Sequence, residues 1–143
     1  MNKPLARREV AVETTWNLAD LFATRDAWLA ELAAVERSLE SVVRYQGELA
    51  SGSGVLLACL EARDALLARL DRVCAYAGLR EAEDGADAAR QADYSNAAAL
   101  GARVSAAVKF VDSEIIALPE PTIAAWLRDE PALRVYRPSL DEL

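Results

Sequence analysis

An all-α bundle is the fold this sequence predicts, and three observations predict it. The composition is that of a helix former, 53% hydrophobic with only 6% aromatic residues, Gly 6 and Pro 5. Apolar residues recur in steps of three and four over three long stretches. No strand-like alternation competes with that period, and no repeat of fixed length appears. At 143 residues the chain is expected to form one domain, with enough length for a sizeable core but not for a second, catalytic domain.

Residues 1–15 carry Pro4 and Arg7-Arg8 but no periodic pattern, and are expected to form an arm ahead of a helical domain at residues 16–143. A short helix or hook follows at about 18–22, with Asn17 placed to cap it and Leu18, Leu21 and Phe22 on one side. Thr24 is the expected N-cap of the first long helix, about 24–48, whose stripe is Trp28, Leu32, Val35, Leu39 and Val42. Ser51-Gly52-Ser53-Gly54 then supplies a turn.

The second long helix is expected over about 55–84, with Leu56, Leu60, Leu67, Leu70, Cys74 and Ala77 on a stripe flanked by Leu66 and Val73. Gly78 falls near its end, and Asp84-Gly85 is its natural stop. The third, about 87–118, carries Tyr94, Ala97, Gly101, Val104, Val108, Val111, Ile115 and Leu118. Gly101 lies on that stripe, where it would let a partner helix approach closely, and Pro119 ends the helix. Pro121 and Pro131 open short helices at about 121–129 and 131–136, and residues 137–143 read as the start of another. The three long helices are expected to pack as an antiparallel bundle.

The formal charge of -7 disfavours nucleic acid and anionic membrane surfaces as partners. With no His in the sequence there is no imidazole base and no Ser-His or Cys-His pair, and no His ligand for zinc or a di-iron centre. The amino terminus lacks the apolar segment of a signal peptide, and no apolar run approaches the ~20 residues that cross a bilayer, so a cytoplasmic protein is expected. Cys59 and Cys74 fall on one predicted helix about 22 Å apart by its rise, too far for a disulfide, and read as small core residues in a reducing compartment.

Three groups could carry chemistry, and each has a plainer reading. Glu81, Glu83, Asp84 and Asp87 lack the spacing of an EF-hand loop and read as a solvated helix end. Arg63 interrupts the stripe between Leu60 and Leu67; it could hold an anion inside the bundle, but snorkelling to the surface between Glu61 and Asp64 is the expected behaviour. Trp16, Trp28, Trp126, Tyr45, Tyr76, Tyr94 and Tyr136 could form a peptide-binding surface, but most fall on predicted buried stripes or at helix ends, and nearly all read instead as core packing. No catalytic, cofactor-binding or metal-binding residue is assigned.

Two segments supply a resemblance. Thr15-Trp16-Asn17-Leu18-Ala19-Asp20-Leu21-Phe22 resembles the Thr-Trp-Asp-Leu-x-Asp-Leu-Phe/Tyr opening of the oligoendopeptidase F family of zinc metallopeptidases. The stretch from Phe110 through Glu114-Ile115-Ile116-Ala117-Leu118-Pro119-Glu120 is similar to that family's Phe-x-x-Glu-Ile-Leu-x-Leu-Pro-Glu, and Ile123, Trp126-Leu127, Pro131-Ala132-Leu133 and Tyr136-Arg137 follow in the family's order. Tyr76-Ala77-Gly78-Leu79-Arg80 and the acidic turn after it are similar to the family's passage between two long helices. The similarity covers roughly residues 10–143; Asn17 stands where Asp is usual, and Pro138-Ser139 where the family continues a helix.

The resemblance implies a helical N-terminal domain that helps wall the cleft of an oligopeptide-hydrolysing zinc enzyme. It also implies that the His-Glu-x-x-His zinc site, its downstream Glu and the chemistry of a metal-activated water lie outside this portion. This chain alone is then expected to be inactive and to hold no cofactor, with the catalytic domain as its partner. The competing expectation is an autonomous helical-bundle interaction module of shared ancestry. The two are separated at the carboxyl end: a severed domain would expose an apolar patch around Trp126, Leu133, Tyr136 and Leu140 and self-associate, whereas an autonomous module would close its core.

Overall fold

In the computed structural model, Leu5 and residues 9–143 are described, so most of the expected arm, residues 1–4 and 6–8, lies outside the described residues. Every regular element among the described residues is helical. After a 3-10 turn at Val12–Thr14 and another at Leu18–Asp20, the α-helices are α1 Arg25–Ser38, α2 Glu40–Val43, α3 Ser53–Glu83, α4 Ala88–Val108, α5 Phe110–Ile116, α6 Glu120–Asp129 and α7 Arg137–Asp141. Further 3-10 turns occupy Leu49–Ser51 and Pro131–Tyr136.

The α3 helix is the spine of the bundle. At 31 residues and 1.5 Å per residue it is about 46 Å long. Its neighbours run against it: Trp28 reaches Val73 while Glu31 reaches Arg69 from α1, and Arg90 reaches Arg80 while Asp112 reaches Arg63 from the α4 and α5 side. Contacts of α1 with α4 run the other way, Arg25 to Asp93 and Glu36 to Arg103, so those two helices are parallel. The expected antiparallel arrangement about a central helix follows from these pairs.

Local chemistry sets the helix starts. Thr24 takes the extended conformation of an N-cap and its hydroxyl accepts from Ala27 N–H at 3.1 Å. Asp87 does the same for α4, accepting from Ala89 N–H and Arg90 N–H. The hook is different: Asn17 caps nothing, because its amide donates to the Asp20 carboxylate at 2.8 Å.

The first helix is shorter than its sequence period predicts. Its α-helical residues end at Val43 and the chain turns through Arg44 to Glu48, with Gly47 at φ +84°. That left-handed backbone is the conformation glycine adopts without a Cβ penalty, and it carries the turn that follows Val42, the last residue of the apolar stripe. The third helix is interrupted once, at Lys109, whose backbone stays right-handed, and then resumes as α5.

The core runs along α3. From α1 and α2 come Trp28, Val35 and Val42; from α3, Leu56, Cys59, Leu60, Leu66, Leu70, Val73, Tyr76 and Ala77; from α4 and α5, Ala97, Leu100, Val104, Val111 and Ile115. Two expected stripe positions move. Tyr94 is exposed, and the buried position beside it belongs to Asp93. Gly101 does not mark a close approach, since a Cβ there would meet only Cys74 Sγ at 4.0 Å, ordinary contact.

Candidate functional site

The most densely built polar site surrounds Asp93. Its carboxylate is almost fully buried and accepts two hydrogen bonds from the Arg25 guanidinium, at 2.8 Å from Nε and 2.7 Å from Nη2. Arg80 stands 3.8 Å away on α3. The geometry is the planar bidentate fork that suits Arg to carboxylates. The paired Asp93 holds the Arg25 pKa above its usual value, through the hydrogen bond first and its charge second. The trio therefore locks the amino end of α1 onto α3 and α4. The sequence signal for Asp93 was its place four residues before Ala97, one position away from the more apolar Tyr94.

Beside it sits the hook. Phe22 meets Tyr76 edge to face with centroids 5.3 Å apart, and Tyr76 stacks on Trp28 at 5.9 Å. Arg72 covers Phe22 at 4.6 Å and donates to the Leu21 carbonyl. Trp28 is fully buried and its indole N–H donates to the Val73 carbonyl at 2.9 Å. Trp16 departs from the expected core packing, with 78% of its surface exposed.

The acidic turn holds its own backbone together. Asp84 accepts from Ala86 N–H, Asp87 caps α4, and Arg90 donates to the Arg80 carbonyl at 2.8 Å and to Glu83 at 3.0 Å. Backbone donation from Arg90 and then Ala89 holds the Asp87 carboxyl below its usual pKa. Among the described residues no three His, Cys, Asp or Glu side chains converge as metal ligands.

Arg63 does not snorkel. Its side chain is 18% exposed, with Nη1 3.5 Å from Asp112 and Nε 3.6 Å from Asp64, so Nε is buried without a hydrogen-bond acceptor. Nearby, burial and then a hydrogen bond with Asp64 push the Tyr136 hydroxyl up to about 12. Glu114, in the segment similar to the peptidase family, is a structural tie. Its carboxylate accepts from Gly47 N–H at 2.6 Å and from Leu49 N–H at 3.3 Å, fixing the turn that ends the first helix and seating buried Leu49. Sequence reasoning did not separate Glu114 from its motif.

The expected carboxyl-terminal patch is redrawn. Leu133 and Leu140 are buried, and Trp126 and Tyr136 are partly buried against the core. The reason is the turn Pro131–Tyr136, which folds back onto α6 and is held by Arg134 donating to the Leu127 and Arg128 carbonyls, each at 2.9 Å. Exposure shifts to Ile116, Val135 and Leu143. A groove of about 450 Å³ lies between α5, α6 and α7, and a cavity of about 270 Å³ lies on the other side of α7 next to Arg63.

The two cysteines are free. Burial pushes the Cys59 thiol up to about 11 and raises Cys74 as well, so neither is a thiolate nucleophile at neutral pH. The sequence has no His, and Cys59 and Cys74 stand fifteen residues apart on the same helix, about 22 Å by its rise, so the two thiols cannot share a zinc ion. No helix of the described residues is long and apolar enough to cross a membrane.

The geometry defines a class of protein: an all-α domain whose buried polar groups tie helix to helix. Comparison with known proteins says where such a domain occurs. No family model matches the chain. It is 28% identical over 137 residues to Oligopeptidase PepF of Bacillus subtilis (strain 168), covering 96% of this chain and 20% of that protein. It is also 28% identical over 130 residues to Group B oligopeptidase PepB of Streptococcus agalactiae, covering 91% of this chain and 22% of the relative. The crystal structure of oligoendopeptidase-F from Enterococcus faecium superposes with a TM-score of 0.72 at 25% identity, over 80% of this chain and 22% of that one. The chain thus spans about a fifth of the length of the curated relatives it matches, and it matches the N-terminal region of oligoendopeptidase F.

Proposed function

We propose that this chain is the N-terminal helical domain of an oligoendopeptidase F-like zinc metallopeptidase that hydrolyses oligopeptides. In that reading residues 1–15 are an arm, residues 16–143 help wall the substrate cleft and restrict substrate size, and the enzyme works in the cytoplasm. The observation that carries the reading is the span of the match, 91% to 96% of this chain against only 20% to 22% of each relative. Walling a cleft requires a stiff surface and no reactive side chain. A 31-residue spine tied to its neighbours by Arg25–Asp93, Arg69–Glu31 and Glu114 supports that role. Zinc and catalysis are assigned to the part of the enzyme outside this region, since the residues here do not fit the metal.

Reading the native gene past the codon for Leu143 tests the proposal: an open frame reaching a His-Glu-x-x-His motif is expected, and an immediate stop codon overturns it. The purified 143-residue chain is expected to show no peptide hydrolysis, and chelator-sensitive hydrolysis by it would sink the assignment of catalysis elsewhere. One observation favours the second reading, an autonomous interaction module of shared ancestry: the core is closed over Leu133 and Leu140. A stop codon after Leu143 would support that module.

A further inference from the structure

Two cavities of the carboxyl half flank α7 and share Ile115, Leu140 and Leu143 as walls. They are open grooves of about 450 and 270 Å³ on two sides of one short helix, and a further groove of about 400 Å³ lies between residues 37–41 and 62–69. The rim is mixed: Ile116 is 62% exposed and Leu143 is 49% exposed, Ile123 and Leu127 line the groove floor, and Glu120, Arg137 and Asp141 add charge to its walls. The smaller cavity also contains an unmet polar demand. Arg63 presents a buried Nε with no hydrogen-bond acceptor, and its Nη1 contact with Asp112 is long at 3.5 Å. Leaving a desolvated donor without an acceptor is unfavourable, so a carbonyl or carboxylate oxygen brought to the Arg63 guanidinium from outside is favoured.

We infer that the face formed by α5, α6 and α7 is the seat of an amphipathic segment from the catalytic part of the same enzyme. Its apolar side fills the groove beside Ile116 and Leu143, and an oxygen acceptor meets Arg63. The inference rests on the reading of this chain as an N-terminal domain, because it is the relatives that supply the occupant. About four-fifths of their length lies outside the matched region, and that polypeptide must contact this domain somewhere. At the opposite end of the bundle Phe22, Trp28 and Tyr76 pack their rings against one another.

The test supplies in trans the portion of Bacillus subtilis PepF that follows the region matched by this chain, with binding to the 143-residue chain measured by calorimetry. Saturable binding is expected, weakened at least tenfold by Ile116→Asp and by Leu143→Asp and unchanged by Val12→Asp, which is more exposed than either and lies on the amino-terminal segment. Both target residues are exposed, and circular dichroism verifies that the variants fold. No binding, or binding that the two groove variants leave unchanged, overturns the inference. A concentration-dependent dimer of the free chain that Ile116→Asp abolishes also overturns it, because the groove then seats a second copy. Failure here is distinguishable from failure of the domain reading, which is decided by the gene sequence beyond Leu143.

Discussion

The two ends of α3 are finished differently. Around Val73, Tyr76 and Arg80, the hook, α1 and α4 close the bundle with three aromatic rings, a buried carboxylate and two arginines, all in contact. Around Leu60 and Arg63, roughly 24 Å away along the helix, α5 to α7 enclose cavities, expose Ile116 and leave an arginine nitrogen without an acceptor. Buried guanidinium nitrogens without a hydrogen-bond acceptor occur at both ends, Arg80 Nη1 and Arg90 Nε at the first and Arg63 Nε at the second, so the ends differ in packing: rings in contact at one, open grooves and an exposed Ile116 at the other.

The comparison breaks first at Trp28. Trp28→Ala removes a fully buried ring and its hydrogen bond to Val73, and is expected to cost about 3–5 kcal/mol in urea unfolding. A loss under 1 kcal/mol would mean the amino end is not the rigid one. Next comes Glu114→Ala, which removes the acceptor of the Gly47 and Leu49 N–H groups and is expected to cost about 0.5–1.5 kcal/mol. Glu114→Gln keeps acceptor capacity and should cost less; equal losses would argue against the tie.

Acid gives a smaller, graded effect. The hydrogen bond from Arg69 lowers the Glu31 pKa below its ordinary 4.5 and the backbone lowers Asp87 below 3.8. For depressed carboxyls the stabilisation is fully present above those unfolded values and is lost as pH falls through the lower folded ones. Unfolding midpoints should therefore hold from pH 7 to about 5 and fall below pH 4, with a shallower fall in Glu31→Gln. A wild-type slope identical to that of Glu31→Gln would remove the Arg69 pair from the account. The smallest expected change has the opposite sign. Gly101→Ala has room beside Cys74 and should stabilise by about 0.5–1 kcal/mol, and destabilisation would restore the close approach that the periodicity suggested.

What could be read from the sequence was what depends on local period and local capping. Trp28, Val35 and Val42, the α3 stripe, the Thr24 cap and the stop before Asp84-Gly85 all lie where steps of three and four put them. What could not be read depends on partners distant in sequence. Glu114 decides where the first helix ends from 67 residues away, and Asp93 is buried because Arg25, 68 residues earlier, reaches it. The fate of Leu133 and Leu140 likewise turned on Arg134 folding a turn back onto α6, which no hydrophobic pattern encodes. The resemblance to the peptidase family located the domain, but its two motifs proved to be a hook and a backbone tie.

The joint between α3 and α4 has a bearing on the order of assembly. Only Asp84 to Asp87 separate the two helices, with Asp87 N–H already donating to the Asp84 carbonyl and Arg90 bridging back to Arg80. Closing so short a loop loses little chain entropy, and every contact across the hairpin grows outward from that turn. The α3–α4 hairpin is thus the part able to form early and serve as a nucleus, whereas α1 and the hook need it as a template. Substitutions in the acidic turn should then slow folding, and those at Phe22 should chiefly speed unfolding.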